Sequence, residues 1–194
     1  MFGLGRRVRI ETERMTLRPP RHGDYREWVA LRQTSADFLV PWEPAWARDH
    51  LTRKAFVGRV YWAQRAIAGD SALPLFMVER GTARLLGAVT LDTIRRGPAQ
   101  AATLGYWIGA AHARQGYMRE AIEALVHYAF TTLDLSRIEA ACLPGNTASR
   151  GVLEKCGFKY EGVAQSYLQI NGRWRTHVLY ANLRMDRRGR AQAE

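Results

Sequence analysis

Seven consecutive residues, Ala113-Arg114-Gln115-Gly116-Tyr117-Met118-Arg119, are the first in the chain whose types and spacing point to chemistry. They follow a β-rich run, "LGYWIG", and open directly into an amphipathic stretch, which puts a glycine turn at a helix N-terminus. Such an end exposes up to four unpaired backbone N–H groups and about half a positive charge, so it binds phosphate without a dedicated side chain. Gly116 permits close backbone approach, Arg114 adds a charge that can fork two phosphate oxygens, and Arg119 lies one turn into the helix. Taken alone, the same residues also make an ordinary strand-to-helix turn with a solvated arginine. Further along, "LPGNTASRGVLEKCGF" reads as a strand end, a helix capped by Asn146 and a stop at Gly157, with the Ser149 hydroxyl on its first turn.

Periodicity defines the elements that must position these segments. Val8 and Ile10, then Met15 and Leu17 after a charged turn, form a strand that ends at Pro19-Pro20. "GDYREWVALRQ" is a helix with Asp24 as N-cap and Trp28, Leu31 and Arg32 at helical spacing. "SADFLVPWEPAW" wraps a surface, because no helix continues through Pro41 and Pro44. A second helix in "DHLTRKAFVGRVYWAQRAI" lines up Leu51, Ala55, Val57 or Gly58, and Tyr61 or Trp62. "LPLFMVER" and "RLLGAVTLDTI" form an antiparallel hairpin at Gly81-Thr82, and "QAATLGYWIGA" is the next strand. After Gly116, Met118, Ala121, Ile122, Leu125, Val126, Ala129 and Phe130 make the clearest helical stripe in the chain. "SRIEAACL" is a short strand, and two strands flank Asn171-Gly172, so the second half runs β, α, β, α, β, β.

The composition places these elements in a single domain, residues 1–194, with a core of about 10–183 and a basic, flexible tail at 184–194. With 194 residues, 47% hydrophobic and 24% charged, the chain has the profile of a soluble α/β or α+β protein. No apolar run approaches the roughly 18 residues that span a bilayer, and no hydrophobic leader follows Met1, which points to the cytoplasm and away from membranes. Cys142 and Cys156 are expected reduced and packed, and no Cys/His cluster has metal-ligand spacing. A formal net charge of +11 implies an anionic partner such as a phosphorylated cofactor, RNA or an acidic protein surface.

The glycine turn followed by "NTASRGVLEKCGF" resembles the GCN5-related N-acetyltransferases (GNAT), in which such a loop and helix bind the pyrophosphate of acetyl-CoA. A later Asn-x-x-Ser/Ala…Gly-Phe segment in that family borders the pantetheine arm. "RMTLRPPRHGDY", "FLVPWEP" and "NTASRGVLEKCGFKYEGVAQSYLQINGRWRTHVL" narrow the resemblance to the RimJ/RimL branch, which acetylates N-termini of ribosomal proteins. The implied fold is a single GNAT domain: a mixed, mostly antiparallel twisted sheet, splayed at its central strands and flanked by helices. The family loop is usually Gln/Arg-x-x-Gly-x-Gly/Ala, so Ala113 and Met118 depart from it at the first and last positions, and Met118 is expected to crowd the helix entrance.

The resemblance implies direct attack of a neutral amine on the acetyl thioester. It places acetyl-CoA along the backbone of Trp107, Ile108 and Gly109, in the loop Arg114, Gln115, Gly116, Tyr117, Met118 and Arg119, and beside Asn146 and Ser149. Many relatives protonate the leaving sulfur with a tyrosine at the position of Leu153, which has no proton to give; Ser149 is therefore the expected general acid or thiolate donor, or else a helix-end serine bonded to its own backbone. Glu43 is a substrate-side carboxylate that orients the amine or relays its proton, with a plain surface role as the other reading. Trp42, Tyr167, Trp174 and His177 are candidates for the acceptor cleft, and packing is the other role open to them. Glu139 is read as structural.

The expected activity is thus acetyl-CoA-dependent acetylation of a protein N-terminal amine, with the N-terminal alanine of a ribosomal protein as acceptor, near ribosomal RNA and without a metal. Two rivals stay open: a GNAT enzyme for a small amine (amino acid, polyamine or antibiotic), which needs a closed acidic pocket, and a non-catalytic CoA-, RNA- or ribosome-binding protein.

Overall fold

Eight strands formed by the apolar runs pair into one sheet in the computed structural model, which describes residues 8–187. In chain order the elements are β1 (Ile10–Glu11), β2 (Met15–Arg18), α1 (Tyr25–Thr34), α2 (Ala36–Leu39), α3 (Arg53–Ala68), β3 (Leu73–Glu79), β4 (Leu85–Arg95), β5 (Ala101–Ile108), α4 (Tyr117–Thr131), β6 (Arg137–Cys142), α5 (Thr147–Lys155), β7 (Lys159–Ile170) and β8 (Arg173–Leu183). The sheet order is β1-β2-β3-β4-β5-β6-β8-β7. Every neighbouring pair is antiparallel except β5 and β6. That parallel pair needs a crossover connection, which α4 supplies.

The same pair splays. Its register runs from Ala101 opposite Arg137 to Leu104 opposite Ala140 and stops there. Gly105 to Ile108 continue along β4, while Ala141 and Cys142 continue along β8, so a wedge opens between the two central strands. Gly87 keeps β4 close to β5 beside this wedge, since a Cβ on it would lie 2.3 Å from the Trp107 carbonyl oxygen.

Both faces of the sheet are covered, as the unbroken apolar run of β3 requires. Met118, Ala121, Ile122, Leu125 and Ala129 of α4 pack with Leu153 of α5 against Met15, Leu75, Leu86 and Leu104. On the other face Trp28 of α1 and Phe56 and Val60 of α3 meet Phe76, Val78 and Leu85. At about 1.5–3 kcal/mol for each large apolar side chain buried, these two layers supply most of the stabilisation of the sheet that carries the wedge.

Four expectations change in detail. The N-terminal strand is a hairpin, β1 and β2, joined at the charged turn. Asp24 stands at the α1 N-cap, but its carboxylate takes the Arg18 guanidinium at 2.8 and 2.7 Å and the Arg21 N–H at 2.7 Å, in place of a helix N–H. In α3 the buried side is Phe56, Val60, Ala63 and Ala66, with the Phe56 ring 5.0 Å from that of Trp28; Tyr61 and Trp62 face solvent, where their polar O–H and N–H stay hydrated. Pro41 sits inside a 3-10 turn that continues from α2, where its missing N–H costs nothing. The chain continues regularly through Arg187, with Arg184 and Arg187 both paired to Asp134; residues 188–194 of the expected tail lie outside the described residues.

Candidate active site

The turn expected to seat an anion is built by backbone conformation. Arg114 (φ 63°) and Gly116 (φ 84°) both take the left-handed region, which turns the chain from β5 into α4 within a few residues. Among the described residues no acceptor is bonded to the N–H of Gly116, Tyr117, Met118 or Arg119, and no side chain caps the helix. Arg114 is exposed and forms no ion pair among the described residues, so its charge is available beside those four donors. Gln115 ties back to the Ala111 carbonyl at 2.8 Å. Arg119, by contrast, is bound to Glu123 one turn on at 2.7 Å, which removes it from the seat in this arrangement. Met118 is 7% exposed and points into the core, so it does not crowd the helix entrance.

Two residues outside the motif hold the seat in place. Arg14, in the β1–β2 turn, donates to the Gln115 carbonyl (2.9 Å) and to Glu120 (2.6 Å), and stacks over the Tyr117 ring at 4.3 Å. Tyr117 donates to Glu79 at 2.8 Å; hydrogen bonds from Thr82, Arg84 and Tyr117 hold the Glu79 carboxyl down at about 2. Neither Arg14 nor Glu79 stands near the loop in sequence, so only the sheet order brings them there.

The mouth of the wedge carries hydroxyl groups. Asn146 caps α5 by accepting the Ser149 N–H at 3.0 Å, and this fixes the first turn of that helix against β5. The Ser149 Oγ lies 2.6 Å from the hydroxyl of Tyr106, which comes from β5 across the wedge. Burial pushes the Tyr106 phenol and the neighbouring Cys142 thiol up, so both stay protonated at neutral pH. Tyr106 and Ile108 face the α4 side of the sheet, and Trp107 packs on the opposite side with Trp28. Tyr106 escaped notice because it reads as one more residue in an apolar strand; the signal was its polar tip, which seeks a partner when buried.

Beyond the wedge lies the "PWEP" segment. Glu43 is bound bidentately by Arg32, with Nη1 donating to Oε1 at 2.8 Å and Nη2 to Oε2, and Trp46 also donates to Oε2 at 2.8 Å. Arg32 is 4% exposed and lies between the Trp46 and Trp107 rings, at 4.3 and 4.7 Å from their centroids. Its place in the apolar stripe with Trp28 and Leu31 was the visible sign that it needed a buried partner. His50 stacks on Trp46, and burial, then the charge of Arg32, push its imidazole down to about 4. The Glu43 carbonyl accepts the Asn171 N–H at 2.9 Å, which joins this segment to the β7–β8 hairpin.

A surface cleft of about 500 Å³ lies between the segment and the hairpin, lined by Trp42, Leu143, Pro144, Gly145, Trp174, Arg175 and Thr176. It brings Trp42 and Trp174 together, and Tyr167 is exposed on β7 outside its lining. His177 is buried, 2% exposed, with its ring against Tyr167 and its Nδ1 2.9 Å from the Arg175 carbonyl. That position makes it a packing residue under the hairpin. Glu139 pairs with Arg95 and Arg137, as a structural residue would. Cys142 and Cys156 are free and buried, and no cluster of metal-binding side chains occurs among the described residues.

A splayed parallel pair, a helix N-terminus with free donors beside it and a hydroxyl at the wedge mouth together define an acyltransferase of the CoA-thioester type. The model of the acetyltransferase (GNAT) domain matches residues 14–159, and the chain belongs to that family as an acetyl-CoA-dependent acyltransferase. Its relatives place it in the RimJ/RimL branch. It is 36% identical over 170 residues to "Probable N-acetyltransferase YjcK" of Bacillus subtilis (strain 168), covering 88% of this chain and 94% of that protein. It is 31% identical over 175 residues to "[Ribosomal protein uS5]-alanine N-acetyltransferase" of Escherichia coli (strain K12), covering 90% of each. The solved structure "Mycobacterium smegmatis RimJ in complex with CoA-disulfide" superposes with a TM-score of 0.87 at 27% identity, over 94% of this chain and 90% of that one.

Proposed function

We propose that the protein acetylates the α-amine of a protein N-terminus, with the N-terminal alanine of a ribosomal protein as acceptor. The observation that carries this reading is the cleft at the wedge mouth: it lies on the surface between Trp42 and Trp174, and no carboxylate among the described residues lines it. A polyamine or another cationic small amine needs acidic walls, whereas an extended peptide needs an open groove. The relative that modifies the alanine of ribosomal protein uS5 supports the same acceptor, and a net charge of +11 suits work beside ribosomal RNA.

Acetyl-CoA supplies an activated acyl carbon on a thiol leaving group. The N–H groups of Gly116, Tyr117, Met118 and Arg119, with Arg114, fit its pyrophosphate. The side of β5 that loses β6 beyond Leu104 offers the backbone of Trp107, Ile108 and Gly109 to the pantetheine arm. Ser149 donates to the leaving sulfur, and Tyr106 holds that hydroxyl in place at 2.6 Å. Glu43, with both oxygens engaged by Arg32 and Trp46, fastens the segment beside the cleft and does not take the amine's proton. A protein N-terminus asks for little more: with a pKa of about 7.7–8.0, roughly a quarter of it is neutral near pH 7.4, against about one part in a thousand for lysine.

The test is thiol release from acetyl-CoA with N-terminal peptides and, in parallel, amino acids and polyamines. Faster turnover of alanine-initiated peptides is the expected result. Preferential turnover of a small amine would replace the acceptor, and no thiol above background hydrolysis with any acceptor would remove the catalytic reading.

A further inference from the structure

The cleft has a one-sided charge, and it is this that says most about the acceptor. Among the described residues Arg175 is the only ionisable one lining it, and it is exposed and forms no ion pair or side-chain hydrogen bond with any of them. Arg150 stands at the rim, donating to the Pro144 carbonyl at 3.3 Å, and Arg173 precedes Trp174 on the exposed start of β8. The nearby carboxylates are spent elsewhere: Glu43 on Arg32 and Trp46, and Glu154 on the Tyr180 hydroxyl. An arginine without a carboxylate partner, in a cleft that two exposed tryptophans also line, is complementary to an acidic side chain on a chain lying along the groove.

We propose that Arg175 is a specificity-determining residue that reads a carboxylate within the first few residues of the acceptor, so that the preferred substrate is an acidic protein N-terminus. The inference rests on the peptide reading given above and deepens it. Leu143, Pro144 and Gly145 of the lining lead directly into Asn146 and Ser149, so the cleft and the wedge share a border. An extended peptide advances about 3.3–3.6 Å per residue, so positions 2 to 4 of the acceptor are the ones to vary in the test.

The test compares kcat/KM for alanine-initiated peptides that carry Asp, Asn or Lys at position 2, 3 or 4, in the wild type and in Arg175→Ala and Arg175→Glu, by thiol release. The wild type is expected to prefer Asp over Asn by about fivefold to tenfold at one position, through KM, with the preference shrinking as salt is raised. Arg175→Ala brings the ratio to about one, and Arg175→Glu turns it toward Lys. Turnover of all peptides without charge preference, or a preference that survives in Arg175→Ala, overturns this inference and leaves the N-terminal reading intact. Turnover of no peptide overturns both. Because indoles and arginines also stack and bind single-stranded RNA, a short oligoribonucleotide is included as competitor; Arg175-dependent inhibition by it, with no preference among peptides, would assign the cleft to RNA instead.

Discussion

Replacing Arg32 by Met gives the sharpest test of how the acceptor wall is held. The side chain is 4% exposed, pairs bidentately with Glu43 and lies between two indoles. Removing one partner of a buried pair costs about 3–5 kcal/mol, because the other charge stays behind without its counterion. Glu43 keeps the Trp46 N–H and its side chain is 20% exposed, so water recovers part of that cost. Two cation–π contacts at about 0.5–1 kcal/mol each are also lost, partly offset by the apolar Met side chain. The net expectation for Arg32→Met is a destabilisation of about 2–4 kcal/mol, read from urea unfolding midpoints. In the double variant with Glu43→Gln the stranded carboxylate is gone, so the loss is expected to be smaller than the sum of the two single losses by about 1 kcal/mol or more. A single-variant loss under about 1 kcal/mol, or strict additivity in the cycle, would refute the pair as the fastening of this wall.

Three further outcomes follow from the geometry. Ser149→Ala is expected to lower kcat by about a hundredfold and Tyr106→Phe by about tenfold, with the double variant no slower than Ser149→Ala, because Tyr106 acts through that hydroxyl; multiplicative losses in steady-state kinetics would separate them. Gly116→Ala places a side chain at φ 84° with its Cβ 3.2 Å from Arg14 Nη2, and should raise the KM for acetyl-CoA about tenfold; an unchanged KM would count against the anion seat. His50 is neutral in the folded protein down to about pH 4, whereas an exposed histidine titrates near 6.5, so between these values the unfolded chain binds the extra proton. The stability this site contributes is therefore complete above about pH 6.5 and falls as pH drops toward 4, by about 1–2 kcal/mol after allowing for its partial exposure. His50→Gln should flatten that limb of the urea-stability profile relative to wild type; an identical acid slope in both proteins would contradict the assignment.

Local pattern was enough for much of this protein. The period of Met118, Ala121, Ile122 and Leu125 defined α4, the Asn146 cap and Gly157 stop defined α5, and Asn171-Gly172 defined the last hairpin, because these signals act over a few residues of backbone. The glycine turn with its free backbone donors at the start of α4 was legible for the same reason. Pattern misled in α3, where several apolar residues compete for one buried side and only the partner, Trp28, decides that Phe56 wins.

What the sequence alone determined, then, is the order of elements, the motif pair and the cofactor class. The tertiary structure decided which distant side chains meet: Arg14 on the Gln115 carbonyl, Tyr106 on Ser149 across the wedge, and Arg32 on Glu43 between two indoles. It also turned Met118 into the core, drew Arg119 to Glu123 and left Arg175 without a counter-charge beside Trp174. The physical reason is that a charge or hydroxyl is committed by whichever partner reaches it first in space, and sheet order, set by burial of apolar area across the whole chain, chooses that partner.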